Sequence, residues 1–406
     1  MSFAWFVALR YLRDARGQTT LILAAVTVGV SVIVFLSALI NGLQASLIAA
    51  TLGSQPHVTL RPPREAPRPV VAATPGHVIA RSVQPASQRL RSIDQWPRVM
   101  DDAARDPSVT AVSPVVTGSG VVTRLDAHVP VVVRGVEPDR FIAIIDLPSR
   151  MIEGQFAIGA GRVVIGRDLA EDLGAAVGDR LRITSTEDVT DIVTIAGVFA
   201  LGNEGVDGSW IVTSLPHAQA LFALPGGVTA IEMKVTDVFD AAGVADDLAR
   251  RTGLTADSWM TVNASLLSGL AAQASSKTMI QSFVVLTVAL GIASVLIVSV
   301  VQKSREIGIL RAVGTPAHHI LLVFLIQGGV LGLTGSIIGS GLGMAFAKAF
   351  ETVAVNPDGT PRFLVQVNAL LLVQSTLLAT GVGLLSAIIP ARRASRLDPA
   401  TAIRGG

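Results

Sequence analysis

Four apolar stretches without any charged residue divide this chain of 406 residues. They are residues 21–40, 282–301, 320–346 and 369–390. About 20 helical residues at 1.5 Å rise cover the hydrocarbon thickness of a bilayer, so the pattern predicts four transmembrane helices. The first stretch is longer than the roughly 7–15 apolar residues of a signal peptide, which favours a retained span over a cleaved one.

Three short segments next to the spans are basic. Their residues are Arg10, Arg13 and Arg16, then Lys303, Arg305 and Arg311, then Arg392, Arg393, Arg396 and Arg404. Short loops rich in Lys and Arg stay on the cytoplasmic side of a membrane. Both ends of the chain are therefore predicted to be cytoplasmic, and the long segment between the first two spans is predicted to be periplasmic or extracellular.

The predicted organisation begins with an amphipathic cytoplasmic elbow at residues 1–17, in which Trp5, Ala8, Leu9 and Leu12 share one face. An extension of the first span into the cytosol is the alternative. The remaining segments are transmembrane helix 1 (18–45), an outer domain (46–276) with a Pro- and Arg-rich tether (61–97), transmembrane helix 2 (277–302), a cytoplasmic helix (303–317), transmembrane helix 3 (318–347), a short outer loop (348–368), transmembrane helix 4 (369–390) and a cytoplasmic tail (391–406).

Short alternating or apolar runs, separated by Gly, Pro and Asp, predict strands in the outer domain. The strand candidates are 109–116, 120–123, 129–136, 163–165, 181–184, 192–199, 210–213 and 230–235, and the helix candidates are 96–105, 167–173, 215–223 and 239–252. The predicted fold class is an α-helical membrane protein with four transmembrane helices plus a large mixed α+β periplasmic domain between the first and second helices.

Composition agrees with a membrane protein, since 50% of the residues are hydrophobic and only 15% are charged, against roughly a quarter charged in soluble proteins. The net charge of +2 gives no reason to expect a nucleic-acid partner. The chain has no Cys and no Gly-Lys pair, which excludes disulfides and a phosphate-binding P-loop. Its histidines lack metal-ligand spacing, and no nucleophile elbow occurs. We therefore expect a non-catalytic membrane subunit without a metal or a cofactor of its own.

The predicted spans contain no ionisable residue. Proton-coupled carriers and pumps usually place such residues at the middle of the membrane, so a self-powered transporter is disfavoured. In the third span, Gly335, Gly339 and Gly343 recur at i, i+4 and i+8. This small-residue face predicts close helix packing, either within or between subunits.

Residues 302–317, QKSREIGILRAVGTPA, predict a short cytoplasmic helix. Ser304 is a candidate N-cap, while Glu306 near the start and Arg311 near the end suit the helix dipole. Gly314 and Pro316 are expected to end the helix. Ile307, Leu310 and Val313 form an apolar stripe. A lever for a peripheral motor protein and a simple interfacial connector are both compatible with this pattern.

Several motifs carry a family resemblance. KSREIGILRAVGTP, the closing IIPARRASRLDPATAIR and the opening ALRYLRD resemble the permease subunits of the MacB, FtsX and lipoprotein-releasing (LolC/LolE) superfamily of ABC transporters. NGLQASLIAATLGSQPHVTL, VVVRGVEPDRF and MKVTDVFDA are similar to the lipoprotein-releasing branch.

The resemblance implies a multi-pass protein of the bacterial inner membrane that pairs with a second copy or a sister permease above a dimer of cytosolic ABC ATPases. ATP and Mg would be bound by those ATPases. The coupling residues would be Lys303, Ser304, Arg305, Glu306, Ile309, Leu310, Arg311 and Gly314, with Glu306 and Arg311 as the expected contact charges. Glu306→Lys is expected to uncouple ATP hydrolysis from function without stopping membrane insertion.

Residues 181–196 leave only a tight connection where a related subunit carries a longer arm that recruits a periplasmic lipoprotein carrier. A sister subunit would then supply that contact, or the substrate differs. The resulting hypotheses are release of a lipidated or amphiphilic substrate, MacB-like export of a small molecule or peptide, and FtsX-like mechanotransmission to a periplasmic partner. For transport, the candidate substrate path beside membrane lipids is Phe35, Leu36, Leu39, Asn41 and Leu43 with Phe283, Val284, Leu286 and Leu290.

Overall fold

The computed structural model describes residues 3–63, 90–159, 161–353, 365 and 368–397. Two units are distinguished by their internal contacts. The helical unit comprises Met1–Leu47 and Ser268–Gly406, and the sheet domain comprises Ile48–Leu267. Most of the predicted tether, residues 64–89, and most of the predicted short outer loop and tail lie outside the described residues.

The described elements alternate between long apolar helices and a mixed domain. The helices are α1 (Phe3–Asp14), α2 (Arg16–Ser54), α3 (Trp96–Ala104), α4 (Pro138–Ile144), α5 (Arg167–Asp172), α6 (Glu204–Asp207), α7 (Leu215–Leu221), α8 (Ala241–Thr252), α9 (Trp259–Val262), α10 (Ala264–Gln302), α11 (Ser304–Ala312), α12 (Ala317–Val353) and α13 (Ala369–Ser395). The strands are β1 (Val58–Arg61), β2 (Val109–Arg124), β3 (Ala127–Val136), β4 (Met151–Gly154), β5 (Arg162–Gly166), β6 (Arg180–Ser185), β7 (Thr190–Phe199), β8 (Trp210–Ser214), β9 (Ala230–Val235) and β10 (Thr255–Ser258).

Within the described residues, four helices are long and apolar enough to cross a membrane, as the sequence predicts: α2, α10, α12 and α13. Their lengths are 39, 39, 37 and 27 residues. Each contains one of the charge-free stretches. An apolar cluster that includes Val34, Ile292, Phe324 and Ala387 packs these helices together in the helical unit.

Glycines bring α12 close to two neighbours in the helical unit. A Cβ atom added at Gly339 would lie 2.6 Å from the carbonyl oxygen of Thr27 on α2, and one at Gly335 would lie 2.6 Å from a methyl carbon of Val26. Gly343 lies against the same helix, while Gly328 lies against Gly383 of α13. The small-residue face therefore serves packing within this chain.

The elbow is a separate helix, because α1 ends at Asp14 and α2 begins at Arg16. Its packed face agrees with the predicted one at Ala8, which is buried, and at Leu12, which packs against the apolar cluster of the spans, but not at Trp5. Ala4, Ala8 and Tyr11 are buried against Val323 of α12, whereas Trp5 is 37% exposed. Small side chains allow the close approach to α12, and the bulky aromatic side chain of Trp5 stays outside the contact.

The sheet domain is built on one ten-stranded mixed sheet. Its order is β10-β1-β9-β2-β3-β8-β5-β7-β4, and β6 pairs with β2 and β7. The β3–β8 and β5–β7 pairs are parallel, and the others are antiparallel. The predicted strands 109–116 and 120–123 form one continuous strand, β2, which pairs with β3 in a long hairpin. The predicted α+β character of the domain is confirmed.

The two faces of the sheet are covered differently. A large apolar cluster with Ile165, Ile231, Leu248 and Trp259 includes side chains of α3, α5, α7 and α8. A smaller cluster packs Phe141 of α4 against alternate residues of the same central strands, namely Val115, Val136, Val164 and Val212. The tight connection predicted after residue 184 is confirmed, since β6 and β7 are joined by residues 186–189 with Asp188 at a φ of 59°.

Candidate functional site

Helix α11 lies between the second and third candidate spans and contains the predicted coupling residues. Its cap position is Lys303, which makes no side-chain capping hydrogen bond, so the prediction of Ser304 as N-cap is wrong. Ser304 is instead the first helical residue. At the other end Gly314 adopts a φ of 102°, a left-handed conformation that glycine tolerates without a steric cost. The predicted end of the helix at Gly314 is confirmed.

One side of α11 is anchored in the helical unit. Ile307 is fully buried in the apolar cluster of the spans, and Leu310 packs against the same cluster. Gly308 is buried as well. Apolar burial of this kind stabilises a short helix that would be marginal alone.

Arg311 is committed to the end of α13. Its Nη1 donates to the carbonyl oxygens of Ser395 at 3.0 Å and of Leu397 at 2.5 Å. The last carbonyl groups of a helix have no partner within the helix, and the C-terminal end of the helix dipole attracts a cation. In this chain, therefore, Arg311 ties α11 to α13, and this arrangement differs from the expected role as a free contact charge.

Lys303 gathers acidic and aromatic groups at the start of α11. Its Nζ lies 2.7 Å from Glu306 Oε1, 3.8 Å from Asp14 Oδ2 and 5.3 Å from the centre of the Tyr11 ring. Burial, followed by the nearby Glu306 carboxylate, raises the pKa of Tyr11 to about 12. The phenol of Tyr11 is therefore neutral. Lys303 joins the elbow to α11, because its ammonium group is shared between the carboxylates of Asp14 and Glu306.

The outward side of α11 is a stripe of three residues. Arg305, Ile309 and Val313 follow at i, i+4 and i+8, and all are exposed, with Ile309 48% and Val313 83% accessible. The predicted stripe of Ile307, Leu310 and Val313 is therefore divided, because the first two residues face inward. We call Arg305, Ile309 and Val313 the outward face. An exposed apolar pair beside a cation is a surface suited to a protein partner.

The candidate substrate-path residues occupy two different environments. On α2, Phe35 makes an edge-on contact with Phe350 at 6.0 Å between ring centres, and Leu36, Leu39 and Leu43 are half-buried. On α10, Phe283, Leu286 and Leu290 are exposed along one face, whereas Val284 lies near Gly29 of α2.

Polar side chains link α2 and α10 within the helical unit. Lys277 Nζ donates to Asn41 Oδ1 at 3.0 Å, and Gln281 Nε2 donates to Ser37 Oγ at 2.7 Å. Asn41 is therefore used in a helix contact. These hydrogen bonds give polar atoms of Lys277 and Gln281 a partner on α2.

Of the candidate path residues, Leu286 lines a groove of about 670 Å³ between α10 and α13. Its other wall is Leu378, Val382 and Leu385, which the sequence reasoning missed. Their spacing of four and seven residues places them on one face of α13 and is the signal that could have found them. Among the described residues, no group of three His, Cys, Asp or Glu side chains could hold a metal ion.

Comparisons with known proteins bear on both units. Residues 19–251 match the family described as MacB-like periplasmic core domain, and residues 278–399 match the FtsX-like permease C-terminal family. LolC, the lipoprotein-releasing system transmembrane protein of Xylella fastidiosa strain Temecula1, is 25% identical over 432 residues, covering 98% of this chain and 98% of that protein.

A second relative is the macrolide export ATP-binding/permease protein MacB of Hyphomonas neptunium. It is 29% identical over 263 residues, which cover 60% of this chain and 38% of that protein. The crystal structure of the periplasmic region of MacB from Actinobacillus actinomycetemcomitans overlaps 54% of this chain and 95% of that one, at 9% identity and a TM-score of 0.34. Because the two family matches cover residues 19–251 and 278–399, the chain belongs to the MacB/FtsX/LolC superfamily of ABC transporter permeases.

Proposed function

We propose that this permease releases a lipidated or otherwise amphiphilic substrate from the bacterial inner membrane, driven by a separate ABC ATPase. The observation that carries the proposal is the alignment with LolC, which extends over 98% of both chains. The match to MacB covers 60% of this chain, against 98% for the match to LolC, and this difference favours the lipoprotein-releasing branch.

The proposed partner is a dimer of cytosolic ATPases that binds ATP and Mg. The outward face of α11 is the proposed docking surface, because its exposed apolar residues end a helix whose other side is fixed by Ile307 and Arg311. A lever must be held at one side to transmit force applied to the other. The chain itself is proposed to be non-catalytic and to pair with a second copy or with a sister permease.

The substrate carrier is proposed to bind a sister subunit. The connection of residues 186–189 between β6 and β7 is too short to form a projecting arm at that position. A heteromeric transporter, with this chain as one of two permeases, is consistent with that feature.

Docking can be tested by co-purification of the ATPase with tagged variants. Ile309→Ser combined with Val313→Ser is expected to reduce the retained ATPase at least tenfold. Ile152→Ser, at another exposed apolar residue that lies in the sheet domain, is the matched control and is expected to retain it. Equal retention by both variants would assign docking to another surface.

The substrate class can be tested by depleting the permease, separating inner from outer membranes and locating the lipoproteins by mass spectrometry. Retention of lipoproteins in the inner membrane is the expected result. The MacB match favours export of a small molecule or peptide as the second candidate function. An unchanged lipoprotein distribution together with new sensitivity to an exported compound would support that candidate instead.

A further inference from the structure

A cavity of about 560 Å³ lies on one face of the sheet domain, across the five neighbouring strands β1, β9, β2, β3 and β8. Its volume is in the range of small-ligand sites, roughly 300–1,000 Å³. Arg134 of β3 is paired in register with Thr117 of β2, and Val132 of β3 is paired with Trp210 of β8. Because side chains alternate between the faces of a sheet, these residues share the face that lines the cavity.

A buried ion pair forms part of the cavity wall. Nη2 of Arg134 lies 2.5 Å from Oε1 of Glu232 on β9, and the two side chains are only 5% and 7% exposed. Removing two charges from water is costly, and apolar residues of similar size often stabilise a fold as well or better. Stability alone is therefore a weak reason for this pair beside a cavity.

Two polar atoms of the pair have no partner within the part of the chain that the structure describes. They are Nε of Arg134, a donor, and Oε2 of Glu232, an acceptor. Buried polar atoms are nearly always hydrogen-bonded, and leaving one unsatisfied is expensive. Two residues that line the cavity thus carry one unpaired donor and one unpaired acceptor.

Aromatic rings hold the guanidinium in place. The Arg134 guanidinium carbon lies 4.0 Å from the centre of the Trp210 ring and 5.5 Å from that of Phe141. A cation over an aromatic face is attracted by the ring quadrupole. The unpaired donor, Arg134 Nε, therefore belongs to a restrained side chain. The ring of Trp210 provides an apolar surface beside it.

The other charged residues of the wall are engaged elsewhere. Arg61 lies 3.6 Å from Asp257, and Arg91 donates to the carbonyl oxygen of Pro63 at 3.2 Å. The Arg134–Glu232 pair is neutral as a whole. A ligand matched to this wall is accordingly uncharged at the pair and offers one N–H donor and one carbonyl acceptor, with an apolar group for Trp210.

A peptide bond offers that combination. We propose that the cavity binds a segment of peptide chain, whose backbone N–H donates to Glu232 Oε2 and whose backbone C=O accepts from Arg134 Nε. An apolar side chain of the bound peptide packs on Trp210. The inference goes beyond the proposed transport function, since it requires neither the ATPase nor a lipid group on the ligand.

The test uses the full chain in detergent-free nanodiscs and a library of hexapeptides blocked at both ends. Peptides retained by the protein are identified by mass spectrometry, and the best one is resynthesised with an ester in place of each amide in turn. Wild-type protein is expected to retain a subset of peptides. One ester is expected to weaken binding at least about tenfold, because it removes the N–H that donates to a charged acceptor.

Two variants separate binding from folding. Glu232→Gln keeps the size of the side chain but replaces one of the two carboxylate oxygens with an NH2 donor. Val132→Trp fills the cavity without changing the ion pair. Both are expected to lose at least tenfold in affinity while their thermal unfolding stays cooperative. Arg251→Ala, which removes a surface ion pair with Asp102, is the matched control and is expected to bind as wild type does.

Several results would overturn the proposal. These are no peptide retained above the Val132→Trp background, equal binding of amide and ester, or saturable binding of oleate in place of any peptide. A synthetic peptide of residues 64–89 is included because Pro63 and Leu90 line the cavity. If that peptide alone binds, the ligand is a segment of the chain itself and not a separate peptide. None of these results depends on lipoprotein location, so the proposed function would stand or fall separately.

Discussion

Arg311 holds two helix ends together with one planar side chain. One guanidinium nitrogen, Nη1, donates to two carbonyl oxygens at the α13 terminus, and the planar group fixes the directions of its two N–H bonds. Charge and position near a helix end could be recognised from the sequence, but the sequence does not indicate which helix end a side chain reaches. For this reason the expected contact charge proved to be an internal tie, and the outward face was identified only from the exposure of Ile309 and Val313.

We predict that Arg311→Ala loosens both α11 and the end of α13. Charge-assisted hydrogen bonds of this kind contribute about 1.5–3 kcal/mol, so backbone amides of residues 304–312 should exchange with deuterium roughly tenfold faster or more. Arg311→Lys should be intermediate, because an ammonium is a point charge without the fork geometry. Hydrogen-exchange mass spectrometry measures this, with exposed Arg305→Ala as the control. Unchanged exchange in Arg311→Ala would show that the tie is dispensable.

A buried histidine makes the sheet domain sensitive to acid. His57 is 4% exposed, and Nδ1 accepts the backbone N–H of Val235 at 3.1 Å. Burial lowers the pKa of His57 below its ordinary value of 6.5, with Lys234 adding to the effect. The unfolded chain therefore binds a proton that the folded domain resists, and stability should fall as the pH drops below about 6.5.

The expected observation is a lower thermal unfolding temperature at pH 5 than at pH 7. Tryptophan fluorescence of the purified full chain measures it. Trp259 is buried, and its backbone N–H donates to the His57 carbonyl oxygen at 2.8 Å. It therefore lies beside the residue that titrates. His57→Asn keeps an acceptor for Val235 and should reduce the pH dependence. His128→Asn, at an exposed histidine, should leave it as in wild type. The same pH dependence in all three proteins would assign the acid sensitivity to other groups.

At the scale of elements, apolar length was the most informative signal. The four spans follow directly from charge-free stretches, since only a long apolar helix satisfies its backbone inside a bilayer. Strands with alternating or apolar runs were also predicted, among them β3, β7 and β9. In contrast, β1, β4 and β10 are four residues each and have no periodicity of their own. Pairing with neighbouring strands creates them, and such partners cannot be recognised from local sequence.

The packing of α12 on α2 should depend on individual glycines. Gly339→Ala places a methyl group 2.6 Å from the Thr27 carbonyl oxygen, which cannot move without shifting the helix, so a loss of about 1–3 kcal/mol is expected. Gly341, two residues away, has nothing within 4 Å of an added Cβ. Gly341→Ala is therefore the matched control and should be neutral. Residual folded protein after heating in detergent, measured by size-exclusion chromatography, compares them; equal survival would contradict the close contact.

At the scale of the whole molecule, charged residues are distributed unevenly along the chain. Charged residues are absent from the apolar stretches and concentrated in the sheet domain and in the short basic segments. The fold class and the family could be recognised from the sequence. The cavity at Arg134 could not, because its residues come from five strands, several of them distant in sequence, that meet only through sheet register.

The basic segments also predict the orientation of the chain, and the absence of Cys makes this testable with single introduced thiols. Val313→Cys lies at the exposed end of α11, and Ile152→Cys lies on an exposed position of β4. In spheroplasts treated with a membrane-impermeant maleimide, Ile152→Cys should be labelled at once, and Val313→Cys only after lysis, because Lys and Arg hold their segments in the cytoplasm. The unsubstituted chain provides the blank, since it has no thiol to react. Labelling of Val313→Cys in intact spheroplasts would reverse the orientation and would place α11 out of reach of a cytosolic ATPase.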